Sequence, residues 1–167
     1  MNQIIGTHGA QSRTLVERAG DRELVVARIF DAPPGTVYRA WSQPELFQRW
    51  WMPKSVSGVT LVSRDMDVRT GGKYRLEFGT GGSETMAFYG KYLEVTPNER
   101  IVWTNDEGEE GAVTTVTFDD KDGKTLLTFH EIYPSREALE DALEGSAAAL
   151  PEQFDQLDDL LLDSAGK

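Results

Sequence analysis

The sequence contains no cysteine and only two histidines among its 167 residues. The absence of cysteine excludes disulfide bonds, thiolate nucleophiles and cysteine-ligated zinc or iron–sulfur sites. His8 and His130 are too few for the ligand sets that catalytic zinc requires. We therefore predict no metal site and no cofactor.

Long apolar runs are also missing. Residues 1–12 lack the apolar stretch of a secretory signal, and no later segment reaches membrane-spanning length. We expect a cytoplasmic protein with no membrane partner. Because no linker or low-complexity tract divides the chain, we predict one domain at 14–163, preceded by a disordered arm at 1–13.

Basic residues are few relative to acidic ones, at 17 against 28, and the formal net charge is −11. This charge repels a phosphate backbone, so we expect no nucleic-acid partner. We interpret the acidic runs at 106–110, 119–122 and 137–163 as solvated turns and helix faces. Four Trp, five Tyr and seven Phe residues favour a packed core over disorder.

Alternation of apolar and polar residues dominates the middle of the chain. It predicts extended segments at 14–17, 23–30, 59–62, 74–78, 86–95, 101–104, 113–118 and 125–132, with turns such as Asp122-Gly123 between them. Two short helices follow the first hairpin, and an amphipathic helix with breaks at Gly145 and Pro151 ends the chain. This order predicts an α+β helix-grip fold, in which a curved antiparallel sheet of about six or seven strands wraps around the long C-terminal helix.

Several motifs stand in a distinctive order between residues 23 and 162. They are RIFDAPP at 28–34, VYRAWSQPE at 37–45, WWMP at 50–53, DVRTGG at 67–72, GKYLEV at 90–95, TFHE at 128–131 and FDQL at 154–157. In this order they resemble the family of activator-of-heat-shock-chaperone-ATPase homologues, within the START-like or SRPBCC superfamily. The chain departs from many relatives at 145–151, where it lacks their repeated glycine-methionine pair.

The resemblance implies a cavity between the sheet and the C-terminal helix, used across the superfamily for lipids, sterols, polyketides and other apolar molecules. The side chains that alternate onto one strand face either line such a cavity or fill the core. Ten residues form the predicted cavity lining: Trp51, Tyr74, Leu76, Phe78, Met86, Phe88, Trp103, Phe129, Leu150 and Phe154.

His130 and Glu131 are the weak catalytic candidates, since a histidine can move protons at neutral pH. Neighbouring strand residues point to opposite faces, however, which argues against a direct relay, and a histidine hydrogen-bonded to a backbone carbonyl is the competing interpretation.

Three functions remain open. The leading hypothesis is non-catalytic binding of a small apolar or aromatic molecule. The first alternative is a protein-interaction module that regulates a chaperone ATPase, and the second is a polyketide cyclase-like enzyme or hydrolase with Tyr74 or Arg75 orienting the substrate. The sequence is compatible with a monomer or a homodimer.

Overall fold

The computed structural model describes residues 3–4, 14–51, 60–79, 85–105, 111–144 and 149–165. The strands in these ranges are β1 (Gln3–Ile4), β2 (Leu15–Arg18), β3 (Glu23–Phe30), β4 (Thr60–Met66), β5 (Lys73–Gly79), β6 (Thr85–Thr96), β7 (Arg100–Thr104), β8 (Val113–Lys121) and β9 (Lys124–Ile132). The helices are α1 (Pro34–Ser42), α2 (Pro44–Trp51), α3 (Arg136–Glu144) and α4 (Leu150–Ala165). Among the described helices, none combines the length and the apolar character needed to cross a membrane.

All described strands belong to one antiparallel sheet in the order β1-β2-β3-β9-β8-β7-β6-β5-β4. Strands β4 to β9 form a meander, and the last of them returns to pair with β3. The predicted α+β class, with a curved sheet and a C-terminal helix, is confirmed. The nine strands found in the described ranges exceed the six or seven expected for the sheet: β2 to β9 overlap the eight segments that alternation predicted and all join the one sheet, and β1 extends its edge beside β2 from within the predicted arm.

Local sequence explains how the elements begin and turn. Asp122 and Gly123, with φ angles of 56° and 89°, form the left-handed turn between β8 and β9. Pro34 occupies the start of α1, where a backbone N–H would have no intrahelical acceptor, so proline loses no hydrogen bond there. Ser135 caps α3 by accepting a hydrogen bond of 3.1 Å from the N–H of Ala138. The predicted helix break at Gly145 lies outside the described residues.

Strand β6 is shared by two parts of the sheet. Its first half, Thr85–Lys91, pairs with β5, whereas Tyr92–Thr96 pairs with β7. Gly90 stands beside the junction, and a Cβ added there would lie 1.9 Å from the carbonyl oxygen of Thr104. Only glycine allows this close approach of the two strands. We call β4, β5 and the first half of β6 the wing.

Helix α4 packs on one face of the sheet, which we call the concave face. Phe154 of α4 is fully buried, with its ring centroid 5.9 Å from that of Phe30. Arg28, two residues before Phe30 on the same face of β3, is also buried and forms ion pairs with two α4 carboxylates. Its Nη1 contacts Asp155, and its Nη2 lies 3.2 Å from Oδ2 of Asp158. Packing and charge together therefore hold α4 on the sheet.

Candidate functional site

Trp41 of α1 lies at the centre of the concave face and is 3% exposed. Its ring centroid is 4.7 Å from that of Trp50, 6.3 Å from Phe154, 6.0 Å from Trp103 and 6.4 Å from Phe129. Aromatic pairs at such distances contribute to stability beyond the area that they bury. The region between β7, β9 and Phe154 is therefore packed core.

The indole N–H of Trp41 has an unusual environment within this core. Its Nε1 atom is buried and finds no hydrogen-bond acceptor in the part of the chain that the structure describes. Trp50, by contrast, donates its indole N–H to the carbonyl oxygen of Ala40 at 2.9 Å. An unpaired buried donor costs roughly 1–3 kcal/mol. An oxygen acceptor brought to this atom would recover that free energy.

The ten side chains predicted to line a cavity differ widely in burial. Six are buried: Tyr74, Leu76, Phe78, Phe129, Leu150 and Phe154. Two are half-buried and pack against the core: Trp51 and Trp103. Met86 and Phe88 are exposed, at 60% and 37%. The contact of any of them with a ligand stays a prediction.

The two exposed members belong to an apolar patch on the wing. In the register of β5 and β6, Leu76 lies opposite Phe88 and Phe78 lies opposite Met86, so all four share the concave face. The rings of Phe78 and Phe88 pack edge to face, with centroids 5.5 Å apart. We call these four residues the wing patch. The apolar surface of the buried core thus continues outward to solvent across the wing patch.

A row of polar side chains crosses the concave face beside the wing. The hydroxyl of Tyr74 donates to the carbonyl oxygen of Thr104 at 2.8 Å and lies 3.4 Å from Oδ1 of Asn105, whose Nδ2 donates to Oγ1 of Thr114 at 3.2 Å. Thr114 in turn donates to a carboxylate oxygen of Glu131. These four residues come from β5, the position after β7, β8 and β9, so the network crosses the middle of the sheet.

Tyr133 completes the network by donating its hydroxyl to the other carboxylate oxygen of Glu131. Burial is the main reason that the pKa of Tyr133 is raised far above its ordinary value of 10.0, and the charge of Glu131 and the hydrogen bond to it add to the effect. Tyr133 therefore remains a hydroxyl donor at neutral pH.

His130 and Glu131 lie on opposite faces of β9. Glu131 pairs with Leu24 and shares the concave face, whereas His130 pairs with Val25 on the other face. Nε2 of His130 lies 3.0 Å from Oε1 of Glu23, so its partner is a neighbouring carboxylate and not the backbone carbonyl considered from sequence. The described residues contain no cluster of three His, Asp or Glu side chains that could hold a metal ion.

Sequence reasoning missed several residues of this region. It gave Trp41 no role beyond its place in the motif at 37–45 and omitted Asn105 and Thr114. Thr114 carried a usable signal, since alternation places it on the same face as Val116 and Phe118. Asn105 follows the last residue of β7, where periodicity gives no information about side-chain direction.

The curved sheet, the two short helices and the helix on the concave face define a START-like, SRPBCC-type protein. The sequence profile of the family described as "Activator of Hsp90 ATPase homolog 1-like protein" matches residues 31–162. The chain therefore belongs to this family, and the resemblance noted from its motifs is confirmed. The comparison with curated proteins finds no match.

Solved structures support the same architecture. A protein from Rhodobacter sphaeroides superimposes with a TM-score of 0.80 at 19% identity, over 90% of this chain and 98% of that one. A protein from Mycobacterium smegmatis gives 0.74 at 24% identity, over 89% and 97%. A protein from Chromobacterium violaceum gives 0.70 at 28% identity, over 85% and 98%. The first two similarities establish the fold alone.

Proposed function

We propose that the protein is a cytoplasmic, non-catalytic binder of a small apolar or aromatic molecule, held on the concave face between the wing and α4. The exposure of Met86 and Phe88 beside the buried Leu76 and Phe78 carries this proposal. Apolar side chains grouped on a concave surface are typical of ligand sites. A ligand over the wing patch would remove that surface from water, at about 25 cal/mol per Å² of apolar area.

A polar side chain elsewhere on the concave face suggests what else the ligand carries. Glu131, already bonded to Thr114 and Tyr133, favours ligand groups that donate hydrogen bonds. The raised pKa of Tyr133 suits hydrogen bonding better than proton transfer, which supports binding over catalysis.

The neutral dye Nile red provides a first test of the wing patch. We expect a saturable fluorescence increase on binding. The double variant M86S/F88S should raise the dissociation constant of the dye by about tenfold, because most of two large side chains is lost from the contact. The control is I29S/I132S, which removes two side chains of matched exposure, 52% and 40%, from strands β3 and β9. In the register, Ile29 and Ile132 lie on the opposite face of the sheet.

Native mass spectrometry of freshly purified protein would identify a natural ligand. A discrete added mass that is reduced in M86S/F88S but retained in I29S/I132S would support the proposal. Equal loss of Nile red binding in both double variants would contradict it. So would an unligated mass together with an unshifted melting temperature across a panel of lipids and aromatic compounds.

The family match favours one second candidate, regulation of the Hsp90 ATPase through protein contact, which the family's description attributes to its name-giving activator. The decisive measurement is the ATPase rate of purified Hsp90 with and without an excess of this protein. A stimulation that persists in M86S/F88S would favour this candidate over ligand binding. An unchanged rate and no complex by size-exclusion chromatography would remove it.

A further inference from the structure

A depression of about 490 Å³ lies on the convex side of the wing, opposite the wing patch. The side chains that matter there are Lys73, Arg75, Tyr89, Lys91 and Asp65. The register sets Lys73 opposite Lys91, and sets Arg75 between Tyr89 and Asp65, so the five share one face. This volume falls within the range of small-molecule sites. We call this depression the convex groove.

Three cationic side chains in the convex groove lack anionic partners for most of their donors. Neither Lys73 nor Lys91 forms an ion pair with any described residue. Arg75 donates through Nε to Glu77 at 3.2 Å, and its two terminal nitrogens have no acceptor in the described part of the chain. Asp65 is the single acidic side chain in the lining. The convex groove is therefore locally positive on a protein whose net charge is −11.

The direct opposition of Lys73 and Lys91 is itself informative, because like charges placed opposite each other across strands are destabilising. The hairpin between β8 and β9 contains a second such pair, Lys121 and Lys124. That pair lies beside Asp120 and Asp122 in the sequence, so acidic neighbours offset its charge. Across the strands, Asp67 lies next to Lys73 but is paired with Arg69 at 2.9 Å, and Asp65 lies opposite Arg75, so the two lysines of the convex groove are less compensated than the hairpin pair.

Tyr89 adds a planar apolar surface to this cationic site. Its side chain is 40% exposed, and the guanidinium carbon of Arg75 lies 5.8 Å from its ring centroid, in a cation–π contact. A planar ring of a ligand can pack beside these two groups. The cationic donors of Lys73, Lys91 and Arg75 suit the three oxygens of a phosphate group better than the two of a carboxylate.

We infer that the convex groove binds a small phosphate monoester that carries a planar ring. The dianionic phosphate is held by Lys73, Lys91 and the terminal nitrogens of Arg75, and the ring lies beside Tyr89. The site is on the face of the wing opposite the proposed apolar site and does not depend on it. The variant M86S/F88S, which changes only the exposed members of the wing patch, should therefore retain this site.

Phenyl phosphate is the probe that tests the inference, with titrations followed by amide chemical shifts of the ¹⁵N-labelled full-length protein. We expect saturable shifts centred on residues 73–75 and 89–91, with a dissociation constant on the order of 1 mM. Inorganic phosphate should bind more weakly and phenol should not bind. Binding should weaken as salt concentration rises, because the site is exposed.

The variant K73Q/K91Q should weaken phenyl phosphate binding by about tenfold or more. Its matched control is K121Q/K124Q, which removes the same charge from the other cross-strand lysine pair and should leave binding unchanged. The proton–nitrogen spectrum of each variant confirms its fold. Equal weakening in both variants would show a general charge effect and overturn the inference. Saturation of these signals by a pentaglutamate peptide and not by phenyl phosphate would overturn it too.

Discussion

Arg28 provides a quantitative test of how α4 is attached to the sheet. Its side chain is 4% exposed, and it pairs with Asp158, at 14% exposure, and with Asp155, at 63%. Replacing Arg28 by methionine keeps most of the side-chain volume but leaves Asp158 largely buried without its cation. Loss of one partner of a buried pair costs 3–5 kcal/mol, and we expect about 3 kcal/mol here because Asp155 can turn to water.

Urea unfolding followed by tryptophan fluorescence measures this change. With a urea dependence of about 2 kcal/mol per molar, the midpoint of R28M should fall by about 1.5 M. The melting temperature should fall by about 6–12 °C, given 2–4 °C per kcal/mol for a chain of this size. The control variant D155N removes the exposed partner and should cost less than about 1 kcal/mol.

The double variant R28M/D158L separates charge burial from lost packing. Because a buried pair replaced by apolar residues of similar volume is often neutral, we expect the free energy of unfolding to return to within about 1 kcal/mol of the unmodified protein. A double variant less stable than R28M, or a D155N variant as unstable as R28M, would refute the reasoning.

Three further predictions concern glycine, hydrogen bonding and pH. Gly90→Ala should prevent soluble folding or lower the free energy of unfolding by more than about 3 kcal/mol, since the new Cβ meets a backbone carbonyl oxygen at 1.9 Å. Gly35→Ala in α1, where the nearest neighbour of the new Cβ is a side chain at 3.5 Å, should change it by less than about 1 kcal/mol in thermal melting. Similar results for both variants would contradict this. Tyr133→Phe should lower the free energy of unfolding, measured in urea, by about 1.5–3 kcal/mol, because the carboxylate of Glu131 loses a hydrogen-bond donor. Tyr38→Phe, which removes a hydroxyl with no described hydrogen bond, should be nearly neutral. Equal costs for the two variants would count against the network. Burial raises the pKa of both Tyr92 and Tyr133 above 10.0, so the folded state holds these protons more tightly. The free energy that each tyrosine contributes to stability is fully present below pH 10 and should fall by about 1.4 kcal/mol per pH unit above it. An alkaline unfolding curve unchanged in Tyr133→Phe would exclude this cause.

Alternation and turn chemistry were sufficient to predict most of the sheet. The period of two assigned Leu76, Phe78, Met86 and Phe88 to their shared face, and Asp122-Gly123 identified its hairpin. Alternation cannot show, however, how much of a strand face another element covers. The difference between the buried Phe78 and the exposed Met86, which lie opposite each other, depends on packing across the whole fold.

The polar network and the ion pairs of α4 were less accessible to sequence reasoning, because their partners are distant in the chain. Glu131 and Asn105 are joined through Thr114, and no local pattern links the three positions. Arg28 did carry a signal, since it falls between Val26 and Phe30 on the buried face of β3. A charged residue at such a position indicates a partner elsewhere, and an acidic terminal helix was available to provide it.

The division of β6 between two partners gives the molecule a natural boundary for local opening. The wing is a contiguous three-stranded meander, and β6 alone connects its described strands to the rest of the sheet. Units of this kind often exchange their amide hydrogens together. Because the wing patch and the convex groove occupy opposite faces of the same unit, a ligand on either face would slow exchange across all three strands. Slower deuterium uptake at 85–91 would therefore report that either of the two sites is occupied.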